Sequence, residues 1–297
     1  MNIRRWAGLL ALVLAFGLAV AACGDDDEDQ PAGESGAEEA QEFPAGSTMA
    51  RLQEAGEIKI GVKFDVPPFG FQNPQSGDIE GFDVDLGKAI ADKLGVEPRF
   101  VEAISDNRIP FLADGTVDLV LSTMTINAER DEEIDFSEPY YIASGRILVP
   151  QDSKIGGVDD LAGNRVCTAL GSTYEETLRK QAPKANLKLV DSYSECLELL
   201  QNGAVDAVST DDVILTGMII QDDSLQLTES EPLTTEPYGA GIKDGDTEFQ
   251  EFVNGVIEEY KSSGAWGEAY EKWVGQYTGE QQEPPTMTLE EAIEVTS

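Results

Sequence analysis

With 297 residues, 41% of them hydrophobic, the chain is long enough for two modest lobes with real cores and too apolar to be disordered. Its 57 acidic residues against 20 basic ones leave a net charge of −37, which repels nucleic acid and anionic lipid and excludes both as expected partners. There is no histidine, so a histidine base and a histidine-ligated zinc are excluded, and no metal or cofactor is expected.

In chain order, Arg4 and Arg5 precede an apolar run at residues 7–20. That run has the length of a signal peptide and is too short to span a bilayer. It ends Val20-Ala21-Ala22-Cys23. Small residues before a cysteine resemble the lipobox of bacterial lipoproteins, which implies a signal peptide over residues 1–22 and a lipidated Cys23. An ordinary signal peptide cleaved near Ala22 is the alternative. Residues 23–47 are mostly Asp, Glu, Gly, Ala, Ser and Pro and read as an extended tether.

The folded body is expected over residues 48–276. Ile58-Lys59-Ile60-Gly61-Val62 alternates like a strand. Phe82, Leu86, Ile90 and Leu94 form one helical face, with Asp83 as its candidate cap and Gly95 as its stop. A pattern then occurs twice: Leu112, Gly115, Val117, Asp118, Val120, and again Leu200, Gly203, Val205, Asp206, Val208. Each copy reads as a helix end, a glycine stop and a buried strand. The repetition points to two similar lobes, although this is also a common helix-to-strand connection. The strands run out into Ser122, Thr123 and Thr125 in one copy and Ser209, Thr210 and Asp211 in the other. Between the copies lie Cys167 and Cys196, an even pair that in an exported chain suggests a disulfide, with two buried thiols as the alternative. Closing a loop of about 30 residues would contribute about 3–4 kcal/mol. Phe249, Phe252, Val253, Val256, Ile257 and Tyr260 form a last helical stripe. Residues 277–297 read as an acidic, peripheral tail with a short amphipathic helix over 288–295.

Strands alternating with helices give an α/β fold. Ligands of such sheets sit beyond the carboxyl ends of the strands, so two facing strand ends imply a cleft between lobes. The overall charge does not bar an anionic ligand, since a surface field is screened within about 10 Å at 0.1 M salt.

Gly81-Phe82-Asp83-Val84-Asp85-Leu86, Thr123-Met124-Thr125-Ile126-Asn127-Ala128-Glu129-Arg130 and Ile134-Asp135-Phe136-Ser137-Glu138-Pro139-Tyr140-Tyr141 resemble three ordered motifs of the amino-acid-binding proteins of ABC importers, the bacterial extracellular solute-binding proteins of family 3. Lys63, Asn107-Arg108-Ile109-Pro110 and the two cysteine positions are similar to the glutamate- and aspartate-binding branch. The resemblance implies a periplasmic-binding-protein-like fold of type II. Each lobe would be a mixed sheet flanked by helices, with 48–140 plus 240–276 in lobe 1, 145–235 in lobe 2, and crossings near residues 140–144 and 236–239. It implies a monomeric lipoprotein outside the cytoplasm, held to the cell membrane through Cys23. That protein would capture glutamate or aspartate and deliver it to an ABC permease and its ATPase. Glutamine or another polar amino acid is the alternative ligand, and a cyclohexadienyl-dehydratase-like enzyme is the alternative class.

A free amino acid buried from water needs a charged partner at each end. The resemblance puts Arg130 on the α-carboxylate, just after Asn127 as a helix N-cap; pairing with Glu129 or Glu133 is the alternative. It puts Asp211 on the α-ammonium, with Asp212 as the fallback and capping of a helix over 213–220 as the alternative. Thr123 and Thr125 would add hydroxyl or backbone partners. Ser172 and Thr173 open a helix over 174–180 whose free N–H groups suit the same carboxylate. Arg108 and Lys63 would take the distal carboxylate, against a salt bridge to Asp106 or Glu102 for the first and plain solvation for the second. Tyr238 would line the pocket or pack the hinge. Val66 and Phe69 stand where relatives stack an aromatic ring on the ligand.

Overall fold

The computed structural model describes residues 42–297; the expected leader, Cys23 and most of the tether lie outside the described residues. One sheet has strand order Glu97–Glu102, Glu57–Val62, Leu119–Val120, Gly241–Lys243, Ile134–Phe136. Glu57–Val62 runs parallel to both neighbours, and Gly241–Lys243 antiparallel to its own. The second sheet has the order Asn186–Val190, Arg165–Ala169, Ala207–Asp211, Tyr141–Pro150, Leu225–Leu227. Its first three strands are parallel and Tyr141–Pro150 is antiparallel to its partners.

Thr235–Tyr238 returns along the start of Tyr141–Pro150, pairing Tyr238 with Tyr141 and Thr235 with Ser144. The two passages between the sheets are therefore one antiparallel ribbon. Around it pack Phe69, Phe82, Tyr141, Tyr238, Trp266 and Tyr270, with the Trp266 indole donating to the Tyr140 carbonyl at 2.7 Å. The architecture is the two-lobed, mixed-sheet α/β fold that the motifs imply.

The repeated pattern has a physical meaning. Both helices end at glycines in the left-handed region, Gly115 at φ 76° and Gly203 at φ 71°. Each aspartate then accepts the backbone N–H at or near the start of a neighbouring parallel strand: Asp118 from Lys59 at 2.9 Å and Asp206 from Arg165 at 2.8 Å. The same side chain sets the same register once per lobe.

The helix Phe82–Leu94 buries Phe82, Leu86, Ile90 and Leu94 and ends at Gly95. Asp83 does not cap it. Gly81, at φ 140°, is the cap, and a Cβ there would collide with the Phe69 carbonyl. Asp83 instead lies fully buried one residue inside the helix, accepting from the Thr123 N–H at 2.9 Å and the Tyr140 hydroxyl at 2.8 Å. Cys167 and Cys196 are disulfide-bonded, joining the strand Arg165–Ala169 to the helix Tyr193–Gln201.

Both ends of the body are more ordered than composition implies. Phe43 packs edge-on against Phe252 at 5.4 Å, and Ser47 caps the helix Thr48–Ala55. The C-terminal segment is packed against the body, not peripheral. Its helix Leu289–Val295, opened by a Thr288–Glu291 capping box, buries Ala292 in a cluster with Leu112, Ile134 and Phe136, while Leu289 and Ile293 pack against that cluster. Gln282 donates to the Ile142 carbonyl at 3.2 Å. No helix among the described residues is long and apolar enough to cross a membrane.

Candidate functional site

The polar residues predicted at strand ends converge where the two sheets face each other. Lys63 directly follows Glu57–Val62, Thr123 and Thr125 follow Leu119–Val120, Ser172 and Thr173 follow Arg165–Ala169, and Asp211 ends its strand. Arg130 is on the one-turn helix Ala128–Asp131, whose cap Asn127 accepts from the Arg130 N–H at 2.9 Å. Arg108 opens the helix Arg108–Asp114.

Three cations are buried here: Lys63 and Arg108 at 2% exposure each and Arg130 at 8%. None of them forms an ion pair among the described residues. The alternative pairings with Glu129, Glu133, Asp106 and Glu102 are not made, and Lys63 is not solvated. Arg130 donates to the carbonyls of Thr125 at 2.7 Å and Gly171 at 3.1 Å. Arg108 donates to the carbonyls of Ser105 at 3.1 Å, Ser122 at 2.9 Å, Thr123 at 3.1 Å and Gly171 at 3.4 Å. Lys63 donates to the Ser105 hydroxyl at 2.7 Å and lies 5.7 Å from the Tyr193 ring centroid. Burial, then the Arg108 charge, push the Lys63 ammonium down to about 7. Burial likewise disfavours the charge on both arginines, although a guanidinium keeps its proton in proteins. Three desolvated cations without an ion pair among the described residues favour a further anion beside them, since the Glu236 and Asp211 carboxylates act on them without pairing with them.

The carboxylates are equally buried. Asp211 accepts from the Tyr174 hydroxyl at 2.9 Å, and burial, then the Glu236 charge, raise its carboxyl well above the usual range. It stands at the cap position of Asp212–Gln221 without capping it. Burial pushes Asp83 up to about 7 against the pull of its two hydrogen bonds. Asp83 and Arg108 together hold Thr123, a β-branched residue at φ 44°, by its N–H and its carbonyl. Left-handed backbone at a threonine is strained, and strain of this kind collects at functional sites.

Tyr238 is fully buried against Phe69, Tyr140 and Tyr141 and packs the crossing. Its hydroxyl makes no hydrogen bond by strict geometry, yet it is near enough to Asp211 for each to perturb the other. Phe69 and Val66 are buried in the hydrophobic core, Phe69 edge-on to Tyr141 and Tyr238. The Ser172 hydroxyl donates to the Ala169 carbonyl at 2.7 Å, leaving the start of the helix Thr173–Gln181 without a side-chain cap. Residue-level reading missed Glu236, Tyr174 and Tyr193. Tyr174 directly follows Thr173 and Glu236 lies two residues before Tyr238, whereas no sequence signal marks Tyr193.

The lobes touch across the cleft. Besides the Arg108 and Arg130 bonds to Gly171, the Ser194 N–H donates to Asp65 at 3.0 Å. Gly217 lies so close to Pro67 that a Cβ would overlap its carbonyl oxygen.

The family described as bacterial extracellular solute-binding proteins, family 3, matches residues 58–276. The chain is 39% identical over 270 residues to the ABC transporter glutamine-binding protein GlnH of Bacillus subtilis, covering 89% of this chain and 96% of that one. It is 32% identical over 280 residues to the glutamate-binding protein GluB of Corynebacterium efficiens, covering 90% and 89%. An ancestral arginine-binding protein solved with bound glutamine superposes with a TM-score of 0.70 at 38% identity, covering 74% of this chain and 98% of that one.

Proposed function

Because this chain belongs to the bacterial extracellular solute-binding proteins of family 3, we propose that its lobes close on an acidic amino acid, glutamate or aspartate, and pass it to an ABC permease and its ATPase. The observation that carries the ligand class is the set of three buried cations that form no ion pair among the described residues, facing the buried Asp211.

In this reading Arg130 takes the α-carboxylate, helped by the N–H groups opening Thr173–Gln181. Asp211 takes the α-ammonium, which gives its disfavoured charge a partner. Lys63 and Arg108 face the distal carboxylate. Arg108 already spends four hydrogen bonds on carbonyls, whereas Lys63 spends one of its three N–H groups. Lys63 is therefore the stronger discriminator. Tyr238 packs the hinge and flanks Asp211. Anchoring through a lipid on Cys23 completes the proposal, and intact-mass measurement of the membrane-extracted protein tests it.

Glutamine is the second reading. It is favoured by the glutamine-binding relative and by a Lys63 that is neutral for part of the time near pH 7. Thermal unfolding of the purified protein against each amino acid separates the two. A ligand at 100 times its dissociation constant adds about 2.7 kcal/mol. Stabilisation by glutamate or aspartate above all others is expected; stabilisation by glutamine alone, or turnover of prephenate, overturns the reading.

Closure itself is testable at Gly217. It lies inside the helix Asp212–Gln221, where alanine is intrinsically favoured, so Gly217→Ala should leave the unliganded protein at least as stable. The new methyl must displace the Pro67 carbonyl whenever the lobes meet. Overpacking of this kind costs about 1–3 kcal/mol, so ligand affinity should fall about 5- to 150-fold by calorimetry. Unchanged affinity would mean that ligand is held without this contact.

A further inference from the structure

Three threonines from separate parts of the chain donate to one carboxylate. Glu236 sits on the return crossing Thr235–Tyr238 and is 2% exposed. Its Oε2 accepts from Thr125 Oγ1 at 2.6 Å and from Thr173 Oγ1 at 3.0 Å, and its Oε1 accepts from Thr234 Oγ1 at 2.6 Å. A buried carboxylate without an ion pair needs several donors, and here hydroxyls supply them.

The donors come from different bodies. Thr125 is at the strand end of the first lobe, and Thr173 opens a helix of the second. The Glu236 strand is tied to the first lobe by Ile126 N–H to the Pro237 carbonyl at 2.8 Å and Gly239 N–H to the Met124 carbonyl at 3.0 Å. The same strand pairs with the other crossing, Glu236 opposite Ala143, so Glu236 stands on the ribbon between the lobes with Thr125 on one side and Thr173 on the other.

We propose that Glu236 is the interlobe positioning residue of this site, clasping the closed lobes through Thr125 and Thr173 and orienting both hydroxyls. The inference rests on the amino-acid reading above. A hydroxyl has one hydrogen; once it points at Glu236, only lone pairs face the cleft. Thr125 and Thr173 then suit an ammonium and cannot donate to a carboxylate, which leaves the α-carboxylate to Arg130 and backbone N–H groups. Glu236 is also the charge that most perturbs both Arg130 and Asp211, so it sits electrostatically between the two groups assigned to the ends of the zwitterion.

The test is a double-mutant cycle on the whole protein, read by calorimetric titration with L-glutamate and with L-glutamine. Glu236→Gln keeps the shape but can accept on one oxygen only, and it should weaken whichever ligand binds by about 10- to 100-fold. Thr173→Val should weaken it by a similar factor, and the double variant should bind within about threefold of the weaker single variant. Wild-type affinity in either single variant, or losses that multiply in the double one, would overturn the clasp. Should Glu236→Gln fail to fold, the Thr125→Val and Thr173→Val cycle carries the same test, because two donors to one shared acceptor are coupled and independent ones are not. If the unaltered protein binds neither ligand, the amino-acid reading fails and the clasp with it; normal binding that survives all the variants sinks the clasp alone.

Discussion

Arg130→Ala is expected to weaken binding of every amino acid by about 30-fold or more while leaving the unliganded protein close to its original stability. The two halves of that result have one cause. With the lobes in contact Arg130 is a buried cation with two carbonyl partners and no ion pair among the described residues. Removing it gives up those bonds but also relieves the desolvation of an uncompensated charge, so the net change should be no more than about 1 kcal/mol. With ligand present, the same deletion leaves an α-carboxylate buried without its partner. Truncating one member of a buried, hydrogen-bonded charge pair costs about 2–5 kcal/mol, or about 30-fold to several thousand-fold in affinity. Arg130→Lys should fall between, since it keeps the charge and loses the planar fork. The measurement is thermal unfolding with and without ligand, paired with calorimetry. An Arg130→Ala protein that still binds at wild-type affinity would remove the central contact from the site. A large loss of unliganded stability would assign Arg130 to the fold.

How far the sequence exposes this site depends on which interactions are local. The strand ends are legible because alternation and helical periodicity mark where each strand stops, and ligand geometry in open α/β sheets follows from that. Asn127 as the cap beneath Arg130 is legible for the same reason, since capping acts over three residues. Glu236 is not. Its donors Thr125 and Thr173 lie 111 and 63 residues away, and nothing in Glu236-Pro237-Tyr238-Gly239 marks that carboxylate as buried. Arg108 shows a different limit. Its position near the cleft can be read from the motif, but the number of its N–H groups already used by Ser105, Ser122, Thr123 and Gly171 is a property of the folded backbone. The C-terminal helix shows a third. Leu289, Ala292 and Ile293 have helical spacing, yet the acidic composition around them argues for a loose tail until the first lobe presents Leu112, Ile134 and Phe136 as partners.

Lys63→Met is the sharpest separation of glutamate from glutamine. The methionine keeps an unbranched apolar stem in a site that is 2% exposed and removes the ammonium that would meet a distal carboxylate. Affinity for the acidic ligand should drop by about 30-fold or more, the lower end of the cost of unpairing a buried charge, while glutamine should lose less than about fivefold. The pH dependence follows from the same atom. With the lobes in contact, burial holds the Lys63 ammonium down at about 7, and a carboxylate beside it raises that value. Above pH 7 closure on an anion must therefore keep or regain a proton that the site otherwise gives up, so acidic-ligand affinity falls as pH rises, by up to about tenfold per unit. Of the charged groups around Lys63, Arg108 and Arg130 stay ionised, burial raises the Asp211 carboxyl well above its ordinary range, and Asp83, which Lys63 perturbs, titrates over the same range, at about 7. Ionisation of Asp83 adds a negative charge to the pocket and therefore acts in the same direction on an anionic ligand. Titrations with glutamate between pH 6 and 8.5 should show this decline, and those with glutamine should not show the lysine part of it. In Lys63→Met the decline should shrink to whatever Asp83 and Asp211 contribute. A glutamate affinity that is flat across that range in the unaltered protein, or equally steep with and without Lys63, would mean that the distal carboxylate is bound elsewhere.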